Sequence, residues 1–76
     1  MSAIELGEVL RIVALELGRR EVAAEDRLED LGARSMDLVA VAAALEDRFG
    51  VAVSDEALGE VRRVGDFHRL LVDDGG

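Results

Sequence analysis

Apolar residues recur along this chain at helical spacing, in runs separated by glycines. Leu6, Val9, Leu10, Val13 and Leu17 fall on one helical face, with Ile4 and Leu15 on the opposite side. Ahead of them, Ser2-Ala3-Ile4-Glu5 has the form of a capping box, which satisfies the free N–H groups of a first turn. Gly18 is placed to end this first helix, and Arg19-Arg20 suit the negative end of its dipole. Leu38, Val41, Ala42, Leu45 and Phe49 follow the spacing i, i+3, i+4, i+7, i+11 and predict a second helix from about Ser35 to Phe49, closed by Gly50. Val51-Ala52-Val53 alternates like a short extended segment. Ser54 then reads as the N-cap of a short third helix through about Leu58, with Asp55 and Glu56 in its first turn and Gly59 as its stop. A last helix from Val64 or Asp66 to Val72 would bury Val64, Phe67, Leu70 and Leu71, leaving Asp73-Asp74-Gly75-Gly76 as a frayed tail.

Residues 19–34 keep no period. A connection that long is usually functional or disordered, but Val22, Leu28 and Leu31 are spaced to pin it to a core. Within it, Ala24 to Leu31 could form a turn or two of helix. The pattern is therefore all-α: a small four-helix bundle with three longer helices, a short third helix and a long first loop. It forms one domain over residues 1–76, with no internal repeat or linker.

Composition narrows the chemistry. The 76 residues include no cysteine, which excludes disulfides, thiolate metal sites and a cysteine nucleophile. The net charge of −8 argues against nucleic acid and anionic membranes, and for partners with basic patches. From Glu21 to Asp37 six acids stand against two arginines, a net charge of −4 and half of the total. Two phenylalanines and no tryptophan or tyrosine leave little surface for stacking nucleobases. No apolar run reaches the ~20 residues of a membrane span, and Met1 to Glu5 lacks the charged and apolar regions of a signal peptide. A soluble cytoplasmic domain is the expectation.

Few residues could converge for catalysis. His68 is the only histidine and lies beside core positions of the last helix, as a boundary residue. Glu46-Asp47 and Asp73-Asp74 read as helix surface and tail. No EF-hand loop, metal-ligand spacing or phosphate-cradling glycine loop is present, so no enzyme activity and no metal are expected. Ser35 follows the turn Leu31-Gly32-Ala33-Arg34 and opens the second helix, where backbone N–H groups and the dipole favour an attached anion. Its plain alternative is a capping serine, although Leu38 stands where a capping box would place Glu or Gln. The outer arc of the same helix carries Met36, Val39, Ala40, Ala43, Glu46 and Asp47, an apolar strip ending in acids that fits a partner surface.

From about Leu6 to Leu71 the chain resembles the acyl carrier protein family. Leu31-Gly32-Ala33-Arg34-Ser35-Met36 is similar to that family's Leu-Gly-x-Asp-Ser-Leu turn. Leu45-Glu46-Asp47-Arg48-Phe49-Gly50 follows at the family's spacing, then Ser54-Asp55-Glu56 and Val64-Gly65-Asp66. The resemblance implies a non-catalytic carrier, monomeric when free, whose Ser35 takes a 4′-phosphopantetheine arm from coenzyme A through a phosphopantetheinyl transferase. The thiol of that arm would hold acyl groups as thioesters for an acyltransferase, a ketosynthase or an adenylating enzyme. It also implies a partner surface at Arg34, Met36, Asp37, Val39, Ala40, Ala43, Glu46 and Asp47.

Three departures from the family pattern are informative. Arg34 reverses the charge of the usual Asp before the serine, which bears on recognition by a housekeeping transferase. Ala40 replaces a common Glu, and Arg63 replaces a Thr that often caps the last helix, which predicts a less sharp start there. Together they point to a dedicated pathway, polyketide or related natural-product assembly, rather than housekeeping fatty acid synthesis. An aminoacyl or peptidyl carrier is the alternative within the family. An unmodified carrier-like interaction module is the alternative outside it.

Overall fold

The computed structural model describes residues 4–74, the side chain of Asp74 excepted, and contains α1 (Leu6–Glu16), α2 (Ser35–Phe49), α3 (Asp55–Leu58) and α4 (Val64–Asp74) with no strand among those residues. Ser2, half of the expected capping box, and Gly75-Gly76 lie outside the described residues. The N-cap of α1 is Glu5, whose side chain makes no capping bond. At the other end the N–H of Gly18, at φ +69°, bonds to Leu15 O and that of Arg19 to Ala14 O, a paired closure that satisfies two orphan carbonyls.

Val9 and Val13 of α1, Val41 and Leu45 of α2, and Val64, Phe67 and Leu71 of α4 form one core, which Leu28 and Val61 complete from the connections. Leu10 and Leu17 pack against it, whereas Leu6 is partly exposed; Ala14 is buried in its place. Ile4 also packs on the core, contrary to its helical-wheel position, because it precedes α1 and follows no wheel. Leu15 remains on the outside. Arg48 near the end of α2 pairs with Glu8 near the start of α1, while Arg19 beyond α1 reaches Leu31 O ahead of α2. The two helices therefore run antiparallel, and the end of α1 lies near the head of α2.

The long loop is held by backbone bonds to the stretch before α4. Leu28 N donates to Arg62 O at 2.9 Å, Val64 N to Asp26 O at 3.0 Å and Gly65 N to Ala24 O at 2.8 Å. These bonds, around an isolated bridge between Arg27 and Arg63, explain why Ala24–Leu31 forms turns and no helix: the Leu28 amide is committed across the chain. Gly65 permits the approach, since a Cβ there would lie 3.1 Å from Ala24 Cβ and from its carbonyl oxygen.

Two expectations about α4 change. Its start is sharp despite Arg63, because Asp66 Oδ2 accepts from the N–H groups of Arg62 and Arg63 at 2.9 Å each. Its end includes Asp73 and Asp74 rather than releasing them as tail, because buried Leu71 anchors the last turn. Among the described residues, no helix is long and apolar enough to cross a membrane.

Candidate functional site

The approach to Ser35 is built by one tight turn. Leu31 N donates to Arg27 O, Gly32 N to Glu29 O and Ala33 N to Leu28 O, at 3.2, 3.1 and 3.0 Å. Closing that turn requires Gly32 at φ +76°, a left-handed conformation that costs any residue with a Cβ. A guanidinium N–H of Arg19 donates to Leu31 O at 3.0 Å and straps the turn to the end of α1.

Arg34 then leaves the turn extended, at φ −107° and ψ 172°, and is the N-cap of α2. Its guanidinium cannot accept a hydrogen bond, so the usual capping bond is not available from it. The opposite half of a capping box does the work: Arg34 N–H donates to Asp37 Oδ2 at 2.8 Å. Ser35 is therefore the first residue inside the helix and not its cap, which corrects the capping-serine alternative. Ser35 is exposed, and no hydrogen bond among the described residues engages its hydroxyl. The free N–H groups of the first helical turn lie beside it.

The remaining site residues divide by surroundings. Met36 is 84% exposed and Val39 57%; Ala40, Ala43 and Asp47 are exposed on the same face of α2, and Arg34 is exposed at its head. Asp37 and Glu46 are half-buried and hold structure. Asp37 bonds to Arg34, and Glu46 Oε2 accepts from Val53 N at 2.6 Å, folding the chain back after Gly50. The capping role of Asp37 was signalled by an acid three residues after the turn. Nothing in the sequence pointed to the Arg19 strap. Ser54, by contrast, does cap α3, accepting from Ala57 N at 3.1 Å.

Beside the turn lies an open cleft of about 490 Å³, with Leu28, Ala33, Leu38 and Val61 forming its apolar part and Arg27 and Arg62 its basic part. His68 is remote from this end. Its Nε2 lies 2.8 Å from Ile4 O and, since a carbonyl only accepts, carries the proton. No cluster of potential metal ligands occurs among the described residues.

Comparison with known proteins identifies the family and the fold. Residues 7–71 match the phosphopantetheine attachment site family. The chain is 38% identical over 58 residues to the acyl carrier protein of Wolinella succinogenes, covering 75% of this chain and 76% of that protein. Its fold is similar to the acetyl actinorhodin acyl carrier protein of Streptomyces coelicolor, with a TM-score of 0.78 at 24% identity over 96% of this chain and 92% of that one. An acyl carrier protein of Thermotoga maritima gives a TM-score of 0.75 at 23% identity, over 88% and 81%. The family carries a covalent 4′-phosphopantetheine group, installed by a phosphopantetheinyl transferase and presented to partner enzymes without catalysis by the carrier itself. With four helices among its described residues, a match to the phosphopantetheine attachment site family over residues 7–71 and 38% identity to a relative covered to three quarters, the chain belongs to the acyl carrier proteins.

Proposed function

We propose that Ser35 is the residue that bears the 4′-phosphopantetheine arm, and that the carrier serves a dedicated polyketide-type or related natural-product pathway with acyl cargo. One observation carries the attachment site. Of the three serines in the chain, Ser2 falls outside the matched span and Ser54 is committed to capping α3, while Ser35 offers an exposed, unengaged hydroxyl. The surroundings fit a phosphodiester: the first N–H groups of α2 and its dipole favour an anion on Ser35 Oγ, and no described hydrogen bond covers it. When attached, the arm supplies a terminal thiol on which acyl groups ride as thioesters.

The chain's own residues hold and present that point. Gly32 sets the turn, Arg19 straps it, and Asp37 fixes the change from turn to helix. Arg34, Met36, Val39, Ala40, Ala43 and Asp47 form the exposed face that partners would read, over a scaffold in which Asp37 and Glu46 are already bonded. The dedicated pathway is supported by Arg34 and Ala40, which make this face less acidic than the family's usual pattern. The overall charge of −8 steers basic partners through fast, salt-sensitive encounters suited to a shuttle.

Incubation with coenzyme A and a permissive phosphopantetheinyl transferase, followed by intact mass measurement, tests the assignment. A gain of one phosphopantetheinyl group that disappears in Ser35→Ala is the expected result. No gain with the native chain, or a gain that survives Ser35→Ala, would overturn it.

A further inference from the structure

A second cleft, of about 450 Å³, opens between α1 and the start of the long loop. Leu10, Leu15 and Val22 give it an apolar floor and edge, and Arg11, Arg19 and Arg20 stand around it. The volume falls in the lower part of the range of about 300–1,000 Å³ typical of small pockets, room for one or two large side chains. Leu15 is 74% exposed, the most open large aliphatic side chain after Met36 among the described residues. A single exposed leucine needs no explanation. A leucine at the edge of a cleft ringed by three cations is a different object.

The charge here runs against the whole molecule. Three arginines face one acid, Glu21, around the cleft, in a chain whose net charge is −8. Of the six arginines outside the cleft, four are engaged: Arg48 with Glu8, Arg27 with Glu29, and Arg62 and Arg63 with backbone carbonyls. No hydrogen bond or ion pair among the described residues engages Arg11 or Arg20, although the chain holds 17 acids. Arg19 commits one N–H to Leu31 O. Guanidinium groups pair with carboxylates in planar, two-point fashion, so the surface is complementary to acids flanking an apolar side chain.

We propose that this cleft docks an acidic segment of a partner protein, one that presents one or two large apolar side chains between Asp or Glu residues. The field of the whole molecule repels an acidic partner at long range. The contact therefore forms at short range, on an enzyme already engaged by another face. Because the Arg19 end of α1 lies against the turn that presents Ser35, such a contact would fix how the carrier is oriented there.

The test titrates the isotopically labelled, unmodified chain with a synthetic peptide in which Asp and Glu flank Leu and Phe, following backbone amide shifts. The same peptide with Lys at the acidic positions is the control. The expected shifts centre on Arg11, Leu15, Arg19, Arg20 and Val22, weaken with added salt and are absent with the Lys peptide. Leu15→Ser and the double variant Arg11→Glu with Arg20→Glu should each weaken binding about tenfold, the size expected for losing one apolar contact or a pair of close charges. Circular dichroism verifies that each variant is folded. No shift at these amides with the acidic peptide, or equal binding by the variants, would overturn the proposal. Concentration-dependent shifts of the same amides without peptide would also overturn it, by making the face a contact between copies. No modification enters the experiment, so its failure leaves the Ser35 assignment standing.

Discussion

Asp66 Oδ2 accepts the backbone N–H groups of both Arg62 and Arg63 at 2.9 Å, closing the head of α4 and holding the stretch that pairs with the long loop. Asp66→Ala removes the one acceptor of both bonds. Loss of a capping side chain costs about 0.5–2 kcal/mol, and bonds to a charged acceptor lie toward the upper part of that range. Solvent near the carboxylate reduces the charged contribution, which leaves about 1.5 kcal/mol. For a chain of this size that is a drop in Tm of about 6–12 °C.

The same bonds make the effect depend on pH. Backbone hydrogen bonds from Arg63 and then Arg62 hold the Asp66 carboxyl below its ordinary value of 3.8, against the opposing effect of burial, with Arg69 and Arg63 adding attraction. A carboxyl depressed in the folded state contributes stability that is fully present above the unfolded value and is lost as pH falls through the folded one. Thermal melts followed by far-UV circular dichroism should therefore show the full gap between native chain and variant at pH 7, shrinking toward about pH 2. Asp66→Asn, which keeps an acceptor without the charge, should fall between the two. A variant that melts within about 2 °C of the native chain at pH 7 would refute this account of α4. So would a gap of the same size at both pH values.

Gly65→Ala should destabilise by about 1–3 kcal/mol, because the new methyl meets Ala24 Cβ and O at 3.1 Å and pushes the loop off α4. Hydrogen exchange should quicken at Leu28 and Val64, and an unchanged melt would contradict the close approach. At the head of α2, Asp37→Ala should lower Tm by about 4–8 °C through loss of the Arg34 bond, whereas Arg34→Asp should not lower it. Mass-monitored modification by a housekeeping-type transferase should run faster on Arg34→Asp than on the native chain, and equal rates would remove residue 34 from partner choice.

The legible part of the fold was the part carried by local rules. The stripe Leu38, Val41, Ala42, Leu45 and Phe49 with Gly50 behind it is sufficient to set α2, and its bounds agree with the structure at both ends. What local rules missed depends on distant partners. Residues 24–31 have helical composition, yet the Leu28 amide goes to Arg62, a residue 34 positions away that no periodicity reveals. Ile4 lies outside the first helix, so its position on the wheel had no meaning. At the site, position and exposure of Ser35 followed from the glycine turn, while the division of the outer arc did not. Glu46 and Met36 share an arc in sequence, but the return of the chain at Val53 captures one and leaves the other in solvent.

Arg34 and Arg63 solve the same local problem. Each stands at the N-cap of a helix with a side chain that cannot accept a bond, and each is followed at the third position by an aspartate that takes the arginine's own N–H. The capping load has moved from the N-cap side chain to Asp37 and Asp66. Once it has moved, the residue at the N-cap is free of structural duty, and its identity can change without loss of the helix. At Arg63 that freedom is used inward: a guanidinium N–H donates to Glu25 O at 2.7 Å and binds the loop to α4. At Arg34 no hydrogen bond or ion pair among the described residues takes up the side chain, and it stands exposed beside Ser35. A cation left free next to the presented hydroxyl, in an acidic chain that could pair it many times over, is where surface chemistry can vary while the fold stays constant. If Ser35 is the attachment point proposed above, position 34 would set the charge met by an approaching partner, independently of how firmly Ser35 is held.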